Sequence, residues 1–151
     1  MKFSRAFTMI ELIFVIVVLG ILAAVAFPRL AATRTDAEIA KGRADVATIR
    51  SAIVSERQTQ LIKGENSYIP KLSLDTNTTL FTGDGNRTLL MYGIKEGSGS
   101  GHWQKTGDQT YVYKVGETGT TFTYYPTDSG SNKAGTFTCT SGSGYCNKLV
   151  D

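Results

Sequence analysis

A single carboxylate, Glu11, lies near the start of a largely apolar run that extends from Phe7 to Phe27. A charged side chain inside a bilayer-spanning segment costs roughly 2.5–3.5 kcal/mol even on lenient insertion scales. Ionisable residues that persist in such segments usually have a partner and a function. The sequence therefore predicts that Glu11 pairs with a positive group.

The chain has two cysteines, Cys139 and Cys146, in a stretch rich in Ser and Gly. In a protein exported from the cytosol this pair predicts a disulfide that closes a small loop, whereas in a reducing compartment both would be free thiols. Two cysteines are too few for a zinc site, and the single histidine, His102, is not placed to complete one.

No catalytic motif accompanies His102 and its neighbour Trp103. Neither a nucleophile motif nor a second acid stands with this histidine, and a single loop histidine is usually solvated. The stretch TGDGNRT, residues 82–88, lacks the ligand spacing of a calcium loop, although calcium binding by other loop residues stays open. We therefore expect a protein that is not an enzyme, with no cofactor and no recognisable metal site.

The charge distribution argues against nucleic acid as a partner. The formal net charge is +3, but the basic excess lies before residue 64, and residues 64–151 hold nearly equal numbers of basic and acidic side chains. Phosphate binding requires cations clustered on one face, and here they are scattered. We expect no nucleic-acid binding.

Two short stretches, DTNTT and DGNRT, place Asn77 and Asn86 in N-x-T sequons. Each also has an acid two residues before the asparagine, which resembles the extended acceptor of bacterial N-glycosylation systems. Thr-rich loops produce such strings by chance, so the pair predicts possible glycosylation only where the transferase is present.

Two successive helical segments follow the short basic leader. Residues 7–28 include an apolar stretch of about 20 residues, the length that spans a bilayer core. Lys2 and Arg5 precede it, and flanking cations of this kind stay on the cytoplasmic side, so the remainder of the chain is predicted to lie outside.

The helical pattern continues over residues 29–63, so Pro28 is expected to kink the helix rather than end it. Ile39, Val46 and Ile53 recur at spacings of seven and form a narrow apolar stripe. We expect this stripe to pack on the sheet of the following domain.

Residues 64–151, which we call the head, change in composition toward Thr, Gly, Tyr and Ser. Four runs favour strands: RTLLMYGI, TYVYKV, TTFTYY and GTFTC. The second and third are joined by GETG and predict an antiparallel hairpin. The fold class is therefore α+β, with a long N-terminal helix packed on a small antiparallel sheet, and a Gly/Ser-rich linker around residues 97–101 is expected to be flexible.

The leader followed by FTMIEL and a long apolar helix resembles the class III leader of type IV pilins and type II secretion pseudopilins. The resemblance implies a pilin-like fold, with a leader (1–6), a transmembrane and polymerisation helix (7–28), an amphipathic helix (29–63) and the head (64–151). It also implies that Gly20 and Pro28 weaken and kink the helix, because both lie where pilin helices carry helix-weakening residues.

In that family a membrane prepilin peptidase cuts after a small residue and methylates the new N-terminus, which implies cleavage between Ala6 and Phe7 and N-methylation of Phe7. Ala6 replaces the usual Gly. Glu11 matches the acid of the motif, which in the family meets the terminal amine of a neighbouring subunit.

The implied function is that of a structural subunit of a type IV pilus-like or type II secretion pseudopilus filament. Its implied partners are the prepilin peptidase, other pilin or pseudopilin subunits and an inner-membrane assembly platform. The implied location is the bacterial inner membrane, as a single-pass protein, and then a periplasmic or extracellular filament. The sequence does not distinguish adhesion, motility, DNA uptake and protein secretion.

Three alternatives remain open at this point. The AVA stretch that ends at Ala26 satisfies the small-x-small rule of a secretory signal peptide, which would start the mature protein at Phe27. An uncleaved anchor explains the apolar length but neither Glu11 nor the leader. An exported or anchored β-rich binding module that does not polymerise could use its aromatic residues as a surface for sugar or another partner: Trp103, Tyr111, Tyr113, Tyr124 and Tyr125.

Overall fold

The protein is described by a computed structural model that covers residues 7–74 and 78–150. The chain divides into two compact units, Met1–Asp36 and Ala37–Asp151. A single helix, α1 (Met9–Ile62), contributes to both units. We describe each unit by itself.

In the N-terminal unit, α1 exposes its large apolar side chains. Phe14 and Ile21 are typical, with 69% and 64% of their surface accessible. The same holds for the other large apolar residues of this stretch: Met9, Ile10, Leu12, Ile13, Val15, Ile16, Val17, Val18, Leu19, Leu22, Val25 and Phe27. Because burial of apolar surface contributes about 25 cal/mol per Å², this helix requires an apolar environment that its own unit does not supply.

The C-terminal unit combines the second half of α1 with two antiparallel sheets and a short helix. The smaller sheet pairs β1 with β2, and the larger has the order β3-β4-β5-β6. The elements after α1 are β1 (Thr79–Leu80), β2 (Ile94–Lys95), β3 (Trp103–Lys105), β4 (Thr110–Val115), β5 (Thr118–Tyr125), β6 (Thr136–Cys139) and α2 (Cys146–Val150).

The hairpin predicted from TYVYKV and TTFTYY is confirmed. β4 and β5 pair from Thr110↔Thr123 to Val115↔Thr118, so the turn contains only two residues, Gly116 and Glu117. Gly116 has a φ of 58°, a conformation that glycine adopts without steric cost. Burial alternates along β4, as expected of a strand with one face in the core.

The predicted apolar stripe of α1 packs in the core of this unit. Ile39, Val46 and Ile53 are buried together with Ile49, in one cluster with residues of the sheet. The sheet contributes a group of buried aromatic side chains whose rings contact one another: Trp103, Tyr111, Tyr113, Phe122 and Phe137, with Phe81 from the loop after β1. This long helix packed on an antiparallel sheet is an α+β arrangement consistent with the pilin fold.

Gly42 allows α1 to approach the sheet closely. A Cβ at this position would stand 2.4 Å from Cε1 of Tyr113 and 2.7 Å from Cδ2 of Leu149. The absent side chain therefore makes room for the Tyr113 ring, whose hydroxyl donates a 2.7 Å hydrogen bond to the carbonyl of Glu38.

Two local predictions for the head were wrong. The run RTLLMYGI does not form a strand, except for Ile94 at its end. Leu89 and Leu90 instead pack half-buried against the core, and their amides donate to the carbonyls of Thr82 and Phe81 at 3.1 and 3.0 Å. Local apolar content favoured a strand, but the chain doubles back here instead of joining the larger sheet.

The Gly/Ser-rich segment that was expected to be a flexible linker is bonded to α1. Nζ of Lys41 donates to the carbonyl of Gly101, and the hydroxyl of Ser100 donates to Oε2 of Glu38. The amide of Gly101 also donates to the carbonyl of Lys114 at 2.8 Å. These long-range contacts cannot be read from the local composition.

Candidate functional site at the helix start

Thr8 and Glu11 close the first turn of α1. The amide of Thr8 donates to Oε2 of Glu11 at 3.0 Å, and its hydroxyl donates to the same oxygen at 2.9 Å. In return, the amide of Glu11 donates to Oγ1 of Thr8 at 3.3 Å. This reciprocal pair is a capping box, which satisfies backbone donors that a helix start otherwise leaves unpaired.

The capping role of Thr8 and Glu11 was not predicted from the sequence. The signal was available, because the order T-x-x-E directly before an apolar run is the sequence signature of a capping box. Within the described residues, the polar contacts of Glu11 are those with Thr8. Its predicted pairing with a positive group on another subunit stays a prediction.

Phe7 lies just before the helix, next to the predicted cleavage point. It has no helical conformation, and 81% of its surface is accessible. Ala6, on the other side of the predicted scissile bond, lies outside the described residues. The Phe7 side of the predicted scissile bond is therefore exposed and lies outside the helix, and cleavage there stays a prediction.

Gly20 and Pro28 both lie within α1, which continues through them to Ile62. A Cβ at Gly20 would meet nothing within 4 Å, so its neighbours in the structure do not require a glycine. That the helix continues past Pro28 agrees with the sequence analysis. The kinks at Gly20 and Pro28 stay predictions.

The predicted disulfide between Cys139 and Cys146 is present. It joins the last residue of β6 to the first residue of α2, with the two Cα atoms 5.8 Å apart. Arg43 of α1 donates from Nε and Nη2 to the carbonyl of Lys148 at 3.1 and 2.8 Å. α2 is therefore held both by the disulfide and by α1.

Of the two predicted acceptor asparagines, Asn86 is exposed on a tight loop, and Asn77 lies outside the described residues. Oδ1 of Asp84 accepts hydrogen bonds from the amides of Asn86 and Arg87 at 3.0 and 2.7 Å. The acid of the DGNRT sequon thus shapes the loop that carries Asn86. Glycosylation at either site stays a prediction.

The aromatic surface considered for a binding module is mostly buried. Trp103, Tyr111, Tyr113 and Tyr124 are all at most 1% exposed, and Tyr125 is half-buried. The first four side chains therefore belong to the core and do not offer a recognition surface. The neighbouring His102 is exposed, and its Nδ1 lies 3.0 Å from the carbonyl of Ser100.

Within residues 7–74 and 78–150, no three His, Cys, Asp or Glu side chains are grouped as metal ligands would be. The described part of the chain has one helix, α1, that is long and apolar enough to cross a membrane, judged by length and composition.

Comparison with known proteins identifies the segment that contains Thr8 and Glu11. Residues 1–27 match the family described as the prokaryotic N-terminal methylation motif. No curated protein and no solved structure matches the chain. The motif and the apolar helix together support a membrane-anchored protein that is then exported. The segment 1–27 therefore carries a class III prepilin leader of the pilin and pseudopilin family.

Proposed function

We propose that this chain is a structural subunit of a type IV pilus-like or type II secretion pseudopilus filament, and not an enzyme. A prepilin peptidase cuts between Ala6 and Phe7 and methylates the new amine of Phe7. The match of residues 1–27 to the methylation motif supports this processing.

The observation that carries the proposal is the combination of this motif with an apolar helix whose side chains are not buried by the rest of its own unit. The large apolar side chains of α1 between Met9 and Phe27 are all exposed in the isolated chain. Lipid covers such a helix in the membrane, and neighbouring helices cover it in a filament. A subunit that passes from one environment to the other keeps its apolar surface away from water throughout.

Glu11 gives the assembly its axial register in this account. Cleavage creates an α-amine at Phe7, whose unperturbed pKa is near 8, so the amine is cationic at neutral pH. A charge in an apolar core is costly unless it has a partner of opposite charge. The carboxylate of Glu11 on one subunit is that partner for the α-amine of Phe7 on the next. Because opposite charges interact strongly where the dielectric is low, a shift of register that separates them is penalised.

The outer face of α1 in the C-terminal unit also supports assembly with other subunits. Small residues recur there at alternating spacings of three and four, and all are exposed: Ala37, Ala40, Ala44, Ala47 and Ser51. Val54 and Leu61 continue the same face and are also exposed. Small side chains at this spacing let a second helix approach closely.

The proposed topology is a single pass in the bacterial inner membrane, with Lys2 and Arg5 on the cytoplasmic side and the head outside. The disulfide between Cys139 and Cys146 suits an oxidising compartment outside the cytosol. The proposed partners are the prepilin peptidase, an inner-membrane assembly platform and other pilin or pseudopilin subunits in a periplasmic or extracellular filament.

The proposal is tested by fractionating cells that express the chain with its assembly machinery. We expect processed protein in the sheared filament fraction, alone or together with other pilin subunits. Correctly processed protein that remains in the membrane, with no filament and no copurifying pilin, would contradict the filament role and leave the non-polymerising binding module as the better account.

A further inference from the structure

Two neighbouring apolar side chains, Met91 and Tyr92, lie on the loop before β2 with 81% and 87% of their surface accessible. Among the described residues of the head, no other large apolar side chain is as exposed. Single exposed apolar residues are ordinary, but adjacent ones form a patch, and both Met and Tyr are enriched at the centres of protein interfaces. We call these two residues the exposed pair.

The loop that carries the exposed pair is held on both sides. Before the pair, Leu90 packs half-buried against the core, and its amide donates to the carbonyl of Phe81 at 3.0 Å. After the pair, Gly93 has a φ of 59°, and a Cβ there would stand 2.6 Å from the carbonyl oxygen of Leu80. Because this backbone is already fixed, binding through the pair would lose little conformational entropy.

A groove with a volume of about 800 Å³ opens on the same unit. Its lining is mainly apolar, and the largest apolar residues in it are Tyr68, Pro70 and Pro126. The exposed pair does not line it. Pockets that bind ligands usually measure about 300–1,000 Å³, so the groove is large enough for two bulky side chains. We call it the Tyr68 groove.

The Tyr68 groove is formed before any ligand arrives. The guanidinium of Arg57 lies 4.8 Å from the centre of the Tyr68 ring, and Nη2 of Arg57 donates to Oδ1 of Asn66. On the side of Gly135 the ring of Tyr68 leaves no room for a Cβ. Nε2 of Gln109 donates to the carbonyl of Pro70 at 2.7 Å. These contacts fix the lining, so little reorganisation opposes binding.

The charged groups around the groove already have partners. Nζ of Lys71 lies 3.4 Å from Oδ2 of Asp108, and Nζ of Lys133 lies 3.2 Å from Oδ2 of Asp128. A neutral, apolar occupant is therefore favoured over a charged one. A tyrosine suits such a groove, because its ring can be buried on the apolar lining and beside the guanidinium of Arg57, while its hydroxyl stays in water at the open side.

We propose that the exposed pair of one subunit inserts into the Tyr68 groove of a second copy of this chain. The contact rests on the filament proposed above. An apolar projection and a matching pocket at different places on one molecule form a heterologous contact, in which each subunit is donor to one neighbour and acceptor to another. Such a contact builds an open helical array when its rotation does not close a ring.

The size of the contact indicates that it forms only within the filament. A buried aromatic side chain contributes about 150–250 Å², so the exposed pair stays well below the roughly 1,000 Å² that a stable interface needs. Arg57 of the groove lies one turn from both Val54 and Leu61, the exposed residues that continue the outer face of α1. The groove is therefore continuous with the face proposed for helix packing, which would supply the remaining area.

The contact is tested by photo-cross-linking in filaments sheared from cells that express the full chain as the only copy. The photoreactive residue p-benzoylphenylalanine is placed at Tyr92, where it keeps an aromatic ring. We expect a ladder of dimers and higher multimers after illumination, with cross-links that mass spectrometry locates at residues 66–71 or 126–128 of a second copy. The matched control carries the same residue at Glu117, an exposed position in the β4–β5 turn, and should not label the groove.

Variants test whether the contact contributes to assembly. Tyr92→Ala should lower the yield of sheared filaments several-fold, whereas Tyr92→Phe, which keeps the ring, should assemble nearly as wild type. Thr127→Lys places a charge at an exposed position of the groove and should also lower the yield, and Glu117→Lys is its control outside the groove. Because these side chains are exposed, thermal unfolding and processing should stay unchanged in all four variants.

The outcomes separate this contact from the filament role. Cross-links to the groove of a second copy, together with a lower yield of Tyr92→Ala, support the contact. Wild-type filaments whose cross-links fall outside the groove or on a different pilin overturn the contact and leave the filament role standing, as does wild-type assembly of Tyr92→Ala. Processed wild-type protein that forms no filament overturns both.

Discussion

The indole N–H of Trp103 donates a 3.0 Å hydrogen bond to Oδ2 of Asp45 and so joins β3 to α1 inside the C-terminal unit. Trp103 is fully buried, and Asp45 is half-buried beside it. Burial raises the pKa of Asp45, and the hydrogen bond from Trp103 and the charge of Lys41 only partly oppose this. The carboxylate therefore makes stability depend on pH.

The first prediction concerns this pH dependence. Because the folded pKa of Asp45 is raised above the unfolded value of about 4, the folded state binds more protons just above that value. The contribution of Asp45 to stability is therefore largest at low pH and is lost as pH rises through the folded pKa. Asp45→Asn keeps an acceptor for Trp103 but cannot ionise, so the variant should gain stability relative to wild type over this pH range. Thermal unfolding at several pH values measures the effect.

Asp128 provides a comparison of opposite sign. The amide of Ala134 donates to Oδ1 of Asp128 at 2.9 Å and, with Lys133, lowers the pKa of this exposed carboxyl. The contribution of Asp128 to stability is present at pH values above the unfolded pKa and is lost as pH falls through the folded pKa. Asp128→Asn should therefore lose stability relative to wild type as pH rises. Equal dependence of stability on pH in Asp45→Asn and Asp128→Asn would refute the opposite pKa shifts of the two carboxyl groups.

The second prediction concerns Gly42. Alanine is the better helix former by about 1 kcal/mol, yet its Cβ would overlap the ring of Tyr113. That ring cannot move easily, because its hydroxyl is bonded to the carbonyl of Glu38. Overpacking costs about 1–3 kcal/mol, so Gly42→Ala should be neutral to destabilising, where helix propensity alone predicts a gain. Gly20→Ala, with open space around it, is the control in the same helix. A clear stabilisation by Gly42→Ala in thermal unfolding would contradict the close packing.

These examples show which features the sequence could predict. The α1 stripe and the β4–β5 hairpin were predictable because each has a local periodicity, in which Ile39, Val46 and Ile53 share one helix face and alternate residues of β4 share one sheet face. The disulfide was predictable once export was assumed. The capping box of Thr8 and Glu11 was equally local, and its motif was available.

Contacts between distant parts of the chain could not be predicted in this way. The hydrogen bond from Trp103 to Asp45 and the close approach of Gly42 to Tyr113 each join α1 to a strand more than 50 residues further along the chain. Four of the five aromatic residues considered for a surface belong to the core, because the sheet face that carries them packs against α1, and only Tyr125 is half-buried. Composition indicates that the strands are rich in aromatic residues, but it does not indicate which face of the sheet a helix covers.

The third prediction concerns the disulfide of Cys139 and Cys146. The loop-entropy relation gives about 2–3 kcal/mol for a loop of this length. The double variant Cys139→Ser, Cys146→Ser should lose about this much in free energy of unfolding, measured with urea. In the wild-type exported protein, a thiol reagent applied without reductant should label neither cysteine, and labelling of both would show that the bond does not form in the cell.

The fourth prediction concerns processing. The mature protein should begin with N-methyl-Phe7, which intact mass and N-terminal sequencing of membrane-extracted protein would show. Replacing Ala6 by a bulky residue such as Leu should block cleavage, because a peptidase pocket suited to a small residue does not admit a larger one, whereas Ala6→Gly should be cut at least as well. A mature chain that starts at Phe27 would establish the signal-peptide alternative.

The fifth prediction separates the charge of Glu11 from its capping role. Glutamine also serves in a capping box, so Glu11→Gln keeps the bonds with Thr8 and removes only the negative charge. Thr8→Ala is the matched control, because it removes the cap and leaves the charge. Export and processing should survive Glu11→Gln, because removing the charge lowers the free-energy cost of membrane insertion. A variant that is never cleaved would place the role of Glu11 in recognition by the peptidase.

The most direct test of the filament account is the fraction of processed subunit found in sheared filaments when Glu11→Gln is the only copy expressed. The account predicts that processed monomer accumulates in the membrane and that few filaments form, while Thr8→Ala assembles better than Glu11→Gln. Mixed expression with wild-type subunits should partly restore incorporation, since wild-type neighbours still supply carboxylates. Assembly of Glu11→Gln alone at the wild-type level would contradict the pairing of Glu11 with the Phe7 amine.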